Sequence, residues 1–582
     1  MYKWNLDALY KGYDETYIAD VERLKCVIES MNQLAPNLKN CEDLERFLQL
    51  DIELNTIGSS LISFASLQIS ANASDTESNR HMGQLQNILS ETSRAYALFT
   101  KFMADSKDQF PKWVDQSEIV KEHEFKLQEM IDLSKHNLSP DVEEVISKLN
   151  INGASAWNNL FGHLTSMTTI DFNGEKHTMA SIRNLAYSHD ATIRKQAYYK
   201  ELELYEKMDD SIAFALNSIK GTVNTISELR GYESALDKTL FDSRMSKATL
   251  DALMEAIEAY LPTFRKYLKH KAKLMNHDNG LPWYDMFAPF ETKNPKTYTV
   301  EDSKEMIINS FGEFSADLAD MAKQAYEDNW IDFLPREGKR SGAFCSNQSQ
   351  IKQSYVLTNF DGSISDIVTI AHELGHAYHG MMIQDLSILN TDYTMPVAET
   401  ASTFCENIVF NAALKASSDE EKLVLIENSL QDLTQIIVDI LSRFKFESEV
   451  FERRKSEFLF PNDLKEIMVE AQRQSYGDGL DASTYHPYMW ACKGHYYSAG
   501  LSYYNFPYAF GGLFALGLYA KFEQEGKDFV PAYRNLLKST TTASCEDVAA
   551  QANIDVTDVA FWKSSLQVAA DRIDMFIELT SK

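Results

Sequence analysis

From about Thr16 to Lys148, apolar residues recur at three- and four-residue spacing with few breakers, the period of helices that bury one face. Leu44, Phe47 and Leu48, followed by Leu54, Ile57 and Leu61, show the pattern. Ser139-Pro140-Asp141-Val142-Glu143-Glu144 predicts a fresh helix, with serine as cap, proline first and acidic residues at the positive end of the dipole. Thr169-Ile170-Asp171-Phe172-Asn173-Gly174-Glu175 predicts a strand and tight turn, hence a small hairpin. Helical spacing resumes from Asp190 to Met275, and Trp283-Tyr284-Asp285 with Pro289 marks a loop re-entering the body. Gly338 to Phe360 is strand-like, first over Ser341 to Cys345 and again over Ser354 to Asn359. After Ser365-Asp366, good capping residues, helical periodicity largely holds to the end. The charge-free run Tyr496 to Ala520 is long enough to span a membrane. Its Asn505, Pro507, tyrosines and Gly511-Gly512 pair predict a buried segment near a site instead.

Only 23 glycines and 13 prolines occur in 582 residues, and sheet-rich folds use more of both at their turns. The fold expected is therefore mainly α. The length exceeds what one core sustains. It predicts an N-terminal helical lobe over residues 1–190 and a second domain over 191–582. The formal charge of -29 repels phosphate backbones and anionic lipid, which excludes nucleic acid and membrane surfaces as partners. The six cysteines form no CxxC pair, and no apolar run follows the opening residues. Together these predict free thiols and a cytoplasmic location.

The candidate chemistry is His372-Glu373-Leu374-Gly375-His376. Residues four apart on a helix share a face, so the two imidazoles can hold one ion while Glu373 reaches a bound water. With 13 histidines in the chain, chance produces this pattern at roughly 0.02 per chain, and Ile367 to Ala371 supplies the apolar helix such a site needs. A catalytic zinc needs a third ligand and an open position. His379 and Met382 stand where a three-histidine continuation would need glycine and histidine. Glu399 and Glu406, seven apart, would share a helix face if Pro396 starts a helix. Glu399 would then bind metal and Glu406 would orient a ligand imidazole, although spacing alone favours solvated carboxylates near a helix start. Cys405 points away from Glu399's face and reads as a buried thiol.

These segments resemble the thimet oligopeptidase family of zinc metallopeptidases, most closely its oligoendopeptidase F branch. The resemblance rests on His372 to His379, on Pro396-Val397-Ala398-Glu399-Thr400-Ala401-Ser402, and on Ser341-Gly342-Ala343-Phe344. Leu281-Pro282-Trp283-Tyr284-Asp285, Gly494-His495-Tyr496-Tyr497 and Tyr504-Asn505-Phe506-Pro507-Tyr508-Ala509 extend it over about residues 281 to 512. It implies a prolate, two-lobed helical body with a deep central channel and a small β-sheet region beside the zinc-binding helix. It also implies one zinc ion per chain, held by His372, His376 and Glu399, with Glu373 as general base. A late histidine and tyrosine approach the substrate carbonyl in that family. His495 matches the histidine. Phe506 stands where a tyrosine is wanted, which passes the role to Tyr508, Tyr504 or Tyr497, with Tyr508 the first choice.

The expected activity is hydrolysis of internal bonds in short oligopeptides by a metal-activated water. Tyr504, Tyr497 and the backbone of Gly342 and Ala343 are the expected substrate contacts, the last two either as a strand that pairs with the peptide or as an ordinary structural strand. The rival readings are a zinc carboxypeptidase of similar architecture and a non-catalytic zinc-containing peptide-binding protein.

Overall fold

The computed structural model describes residues 2–290 and 296–581. Among them, 26 α-helices accompany five short strands, so the fold is mainly α. The long helix Cys41–Ala71 buries Leu44, Phe47, Leu48, Leu54, Ile57 and Leu61 along one stripe, as their spacing predicts. The helix Pro140–Asn152 begins where expected, but the Ser139 side chain makes no capping hydrogen bond.

Strands β1 (Thr169–Phe172) and β2 (Glu175–Thr178) form the hairpin. Its turn residues Asn173 and Gly174 both have positive φ, 52° and 85°. That left-handed pair matches the twist of the flanking strands. Strands β3 (Ile331–Asp332), β4 (Phe344–Gln348) and β5 (Gln353–Leu357) form the second sheet. Its order is β3-β5-β4, with β3 parallel and β4 antiparallel to β5. The strand expected from Ser341 therefore begins only at Phe344. Gly342 has φ +80°, a left-handed conformation outside any ladder.

Apolar side chains gather into two clusters. One draws on residues 6–131 together with Tyr355 and Leu389. The other begins at Ala154 and runs to Phe576. The two clusters thus meet in sequence between residues 131 and 154. Strand β5 is the seam, because successive side chains of a strand point to opposite faces. Tyr355 packs into the N-terminal cluster and Val356 into the larger one. Trp4 seals the N-terminal side, its ring 6.2 Å from that of Tyr355 and 6.3 Å from that of Phe344.

The charge-free run 496–520 enters the helix Phe506–Glu525, which is buried on nearly all sides from Phe506 to Tyr519. Among the described residues no helix is long and apolar enough to cross a membrane.

Candidate metal centre and active site

The helix Ile364–Ile383 carries the histidine pair. Its cap is Ser363, not Ser365. The Ser363 hydroxyl accepts from the Asp366 amide, and the Asp366 carboxylate accepts from the Ser363 amide, so a reciprocal box fixes the first turn. Two turns on, His372 and His376 stand side by side with ring centroids 5.1 Å apart. Glu373 is buried, 6% exposed. Burial raises its carboxyl above the ordinary range, His372 and His376 oppose the shift, and Glu399 adds to it.

The second carboxylate element differs from expectation. A short helix, Met395–Ala398, ends at Glu399, and a new one, Thr400–Ala416, begins immediately after it. Glu399 sits at the junction with φ -91° and ψ 5°. That conformation is close enough to helical to keep Glu399 and Glu406 on one side. Glu399 Oε2 lies 3.3 Å from His372 Nε2 and 3.4 Å from His376 Nε2. Ser402 Oγ donates to the same oxygen at 2.7 Å. Glu406 Oε2 meets His372 Nδ1 at 3.1 Å. Cys405, turned to the other side, is buried.

Gly375 permits this approach. A Cβ there would stand 2.5 Å from the Ala401 carbonyl oxygen and 2.6 Å from Ser402 Cα. The two helices therefore touch backbone to backbone directly behind the ligand face.

One donor atom each from His372, His376 and Glu399 falls within a 4.8 Å span. Two imidazoles and one carboxylate in that spacing suit zinc, and three protein donors leave a fourth position open. The electrostatics agree. Burial opposes charge on His372, but Glu399 and Glu406 push it up to about 10. Burial likewise opposes charge on Glu399, and both histidines outweigh it to hold the carboxyl far below its usual range. The pocket is built to hold positive charge, which a metal ion supplies more strongly than protons.

The late segment closes on this cluster. Gly511, on the helix Phe506–Glu525, faces the Glu399 junction, where a Cβ would come 3.0 Å from the Pro396 carbonyl oxygen and 3.4 Å from Glu399 Cβ. Tyr508, three residues earlier, shares that face. Its hydroxyl is pushed up by burial, by its bond to Tyr504 and by the charge of Glu399. The Tyr504 and Tyr508 hydroxyls are 2.7 Å apart, and the Tyr504 ring lies 5.6 Å from that of His495. His495 Nε2 is buried with no hydrogen-bond partner among the described residues. Burial, then Arg443, Lys220 and Lys493, lower its pKa to about 3, so the ring is neutral.

Two expected substrate contacts are placed differently. Tyr497 is fully buried, stacked on Phe161 with centroids 3.7 Å apart, and turned into the core. The Gly342 carbonyl already accepts from Asn359 Nδ2 at 2.8 Å. The exposed Gly342 and half-buried Ala343 lead into edge strand β4 without belonging to it.

Sequence reasoning missed Asn347 on β4. Its Nδ2 donates to the His376 carbonyl at 3.1 Å, and its side chain fills the space beside Gly380, where a Cβ would clash at 2.4 Å. This contact docks the edge strand on the histidine helix. The signal was the pair of glycines, Gly375 and Gly380, inside an otherwise apolar helix. Tyr393 was also missed. It stacks on buried His379 at 4.2 Å, and its hydroxyl is pushed up by burial, then by Cys345 and Glu399.

Comparison with known proteins agrees with this geometry. Residues 184–568 match Peptidase family M3, and residues 101–168 match Oligopeptidase F. An oligoendopeptidase F homolog of Lactococcus lactis subsp. lactis (strain IL1403) is 24% identical across 100% of this chain and 97% of its own length. Oligopeptidase PepF of Bacillus subtilis (strain 168) is 22% identical across 100% and 87%. The fold is shared with a crystal structure of a candidate peptidase from Chlamydophila abortus, at TM-score 0.87, 20% identity and coverage of 99% and 98%. It is also shared with oligoendopeptidase-F from Enterococcus faecium, at TM-score 0.70, 18% identity and coverage of 98% and 99%. With most of its length in one family match and a His-His-Glu cluster at the centre of that match, the chain belongs to peptidase family M3 and is a metalloendopeptidase.

Proposed function

We propose that this protein hydrolyses internal bonds of short oligopeptides with one zinc ion held by His372, His376 and Glu399. The carrying observation is the convergence of those three donors within 4.8 Å, with Glu373 on the turn between the histidines. Zinc, when bound, supplies a Lewis acid for the scissile carbonyl and makes a coordinated water more acidic.

The protein's own residues do the rest. Glu373, its carboxyl raised by burial, takes the proton of the attacking water and returns it to the leaving amine. Glu406 accepts from His372 Nδ1 and keeps the Nε2 lone pair free for metal. Neutral His495 and the Tyr504–Tyr508 hydroxyl pair donate to the carbonyl oxygen as it gains charge, Tyr508 first. Among the described residues β4 pairs only with β5, which supports a free outer edge. That edge lies against the histidine helix through Asn347 and supports pairing with an extended peptide.

The same reading includes a deep channel between two lobes, residues 1–190 and 191–582. All six cysteines are free, which supports a cytoplasmic location.

The test is mass spectrometry of products from a mixed peptide pool, with and without chelator, and with C-terminally blocked copies. Chelator-sensitive internal cuts that tolerate the block are expected. Loss of cutting on blocking means a carboxypeptidase, and no cutting at all means a binding protein. One cleavable sequence is also presented alone and embedded in a long unstructured chain. The short form is expected to be cut much faster, because ordering each further residue in a channel costs roughly 1–2 kcal/mol of backbone entropy. Equal rates mean an open groove.

A further inference from the structure

Beside His495 lies a second cavity of about 240 Å³, lined among others by Arg183, Tyr187, Gln435, Asp439, Arg443 and Lys493. One wall is a five-residue π-helical turn, Gln435–Asp439. Such turns insert an extra residue into a helix and recur at functional sites.

The charges in this enclosure do not balance. Arg183 Nη1 pairs with Glu201 Oε1 at 2.7 Å, and Arg443 pairs with Asp439. Glu201 is engaged further, accepting from Tyr205 at 2.8 Å and facing His486 at 3.3 Å. Lys493 has no side-chain hydrogen bond or ion pair among the described residues. The buried Nε of Arg443 is also without a partner there. A fourth lining cation, Arg194, is paired with Asp285 at 2.8 Å, which leaves three cations sharing two carboxylates, and a partly buried cation without a counter-charge is costly. Burial, then Arg443 and Arg183, act against charge on Lys493, and Cys492 and Asp439 offset them only in part, so an incoming anion completes the balance.

Two residues of the cavity lining stand close in sequence to groups that neighbour the metal cluster. Lys493 is two residues before His495. Gln435 is three residues after Asp432, whose carboxyl feels Glu406, and Glu406 bonds His372. The volume is below the roughly 300–1,000 Å³ typical of drug-sized ligands, which leaves room for one end residue and not for a run of peptide.

We propose that this cavity binds a carboxylate of the peptide being cut, foremost its free C-terminal carboxylate, on Lys493 with Arg443 beside it. The proposal rests on the peptidase reading above. It predicts that short peptides are positioned by their end as well as by the edge strand, which would favour short substrates over long ones.

The test uses the zinc-loaded full chain and one cleavable heptapeptide in three forms: free acid, C-terminal amide, and amide with a glutamate as last residue. The wild type is expected to show a KM about tenfold lower for the acid than for the amide, with similar kcat, the size of one charge-assisted hydrogen bond. Lys493→Met is expected to bring the acid-to-amide ratio of KM close to one, and Lys493→Arg to restore most of it. A low KM for the glutamate-ended amide assigns the site to side-chain carboxylates as well. Equal KM for all three forms in the wild type overturns the proposal without any variant. A ratio that persists in a folded Lys493→Met protein also overturns it. Failure to cut any form would instead count against the peptidase reading itself.

Discussion

His372 is held between two carboxylates, with its Nε2 3.3 Å from Glu399 Oε2 and its Nδ1 3.1 Å from Glu406 Oε2. A carboxylate on Nδ1 keeps the proton there and leaves Nε2 free for a metal, so the two acids have different tasks. Glu406→Ala is expected to weaken zinc binding by roughly 10–100-fold, and Glu399→Ala more than that. Metal-limited dialysis against a competing chelator measures both. Greater damage from Glu406→Ala would invert the assignment.

Glu373 feels the charges of His372 and His376 without being one of the three clustered donors. Glu373→Gln is therefore expected to retain zinc while lowering turnover by at least about 10²–10⁴-fold, the usual contribution of a general acid–base group. Metal content and rate must be measured on the same sample. Loss of zinc, or a near-normal rate, contradicts the role.

Gly375→Ala is expected to disturb the site from behind. The new Cβ would meet the Ala401 carbonyl oxygen at 2.5 Å, and both partners are backbone. Forcing the helices apart costs about 1–3 kcal/mol of stability, and it moves Glu399 away from both histidines. A lower unfolding midpoint together with weaker zinc binding is the expected pair of results. Wild-type values for both would mean that the helices separate freely.

The Tyr504 and Tyr508 hydroxyls share one 2.7 Å hydrogen bond, so the one that accepts it keeps its own proton free for the substrate carbonyl. Tyr508→Phe is expected to lower kcat by about 100-fold with little change in KM, the size of one lost oxyanion donor. Tyr504→Phe is expected to cost less, and Tyr497→Phe to alter stability before rate, since that ring is packed on Phe161. A normal rate in Tyr508→Phe beside a slow Tyr504→Phe would exchange the two roles.

His379 is fully buried, and burial followed by His376 lowers its pKa to about 3. In the unfolded chain it titrates near 6.5. Above that pH the ring is neutral in both states and its contribution is undiminished. As pH falls toward 3 the unfolded state binds a proton that the fold refuses, so stability declines with acid. From pH 7 to pH 5 the loss is of the order of 2 kcal/mol. Denaturant unfolding at both pH values checks this, and His379→Asn should flatten the difference. An unchanged slope in the variant would assign the acid sensitivity to other groups.

The pattern of residues alone determined whatever depends on local geometry. His372 and His376 face one ion because four residues make about one helical turn, and Asn173-Gly174 turns a hairpin because both residues tolerate positive φ. The scarcity of glycine and proline likewise fixed a mainly helical fold. The tertiary structure decided everything that depends on distance in space between residues far apart in sequence. Spacing placed Glu399 and Glu406 on one helix, whereas the chain breaks its helix at Glu399. The Gly375 contact then carries both acids to the histidines. Tyr497 and Tyr508 both looked able to reach a substrate, yet the turn after His495 sends Tyr497 into Phe161 while Gly511 seats Tyr508 beside Glu399. Asn347 and the unpaired Lys493 carried no signal of their own in the sequence, because an amide or an ammonium becomes informative only when burial shows which partner it has or lacks.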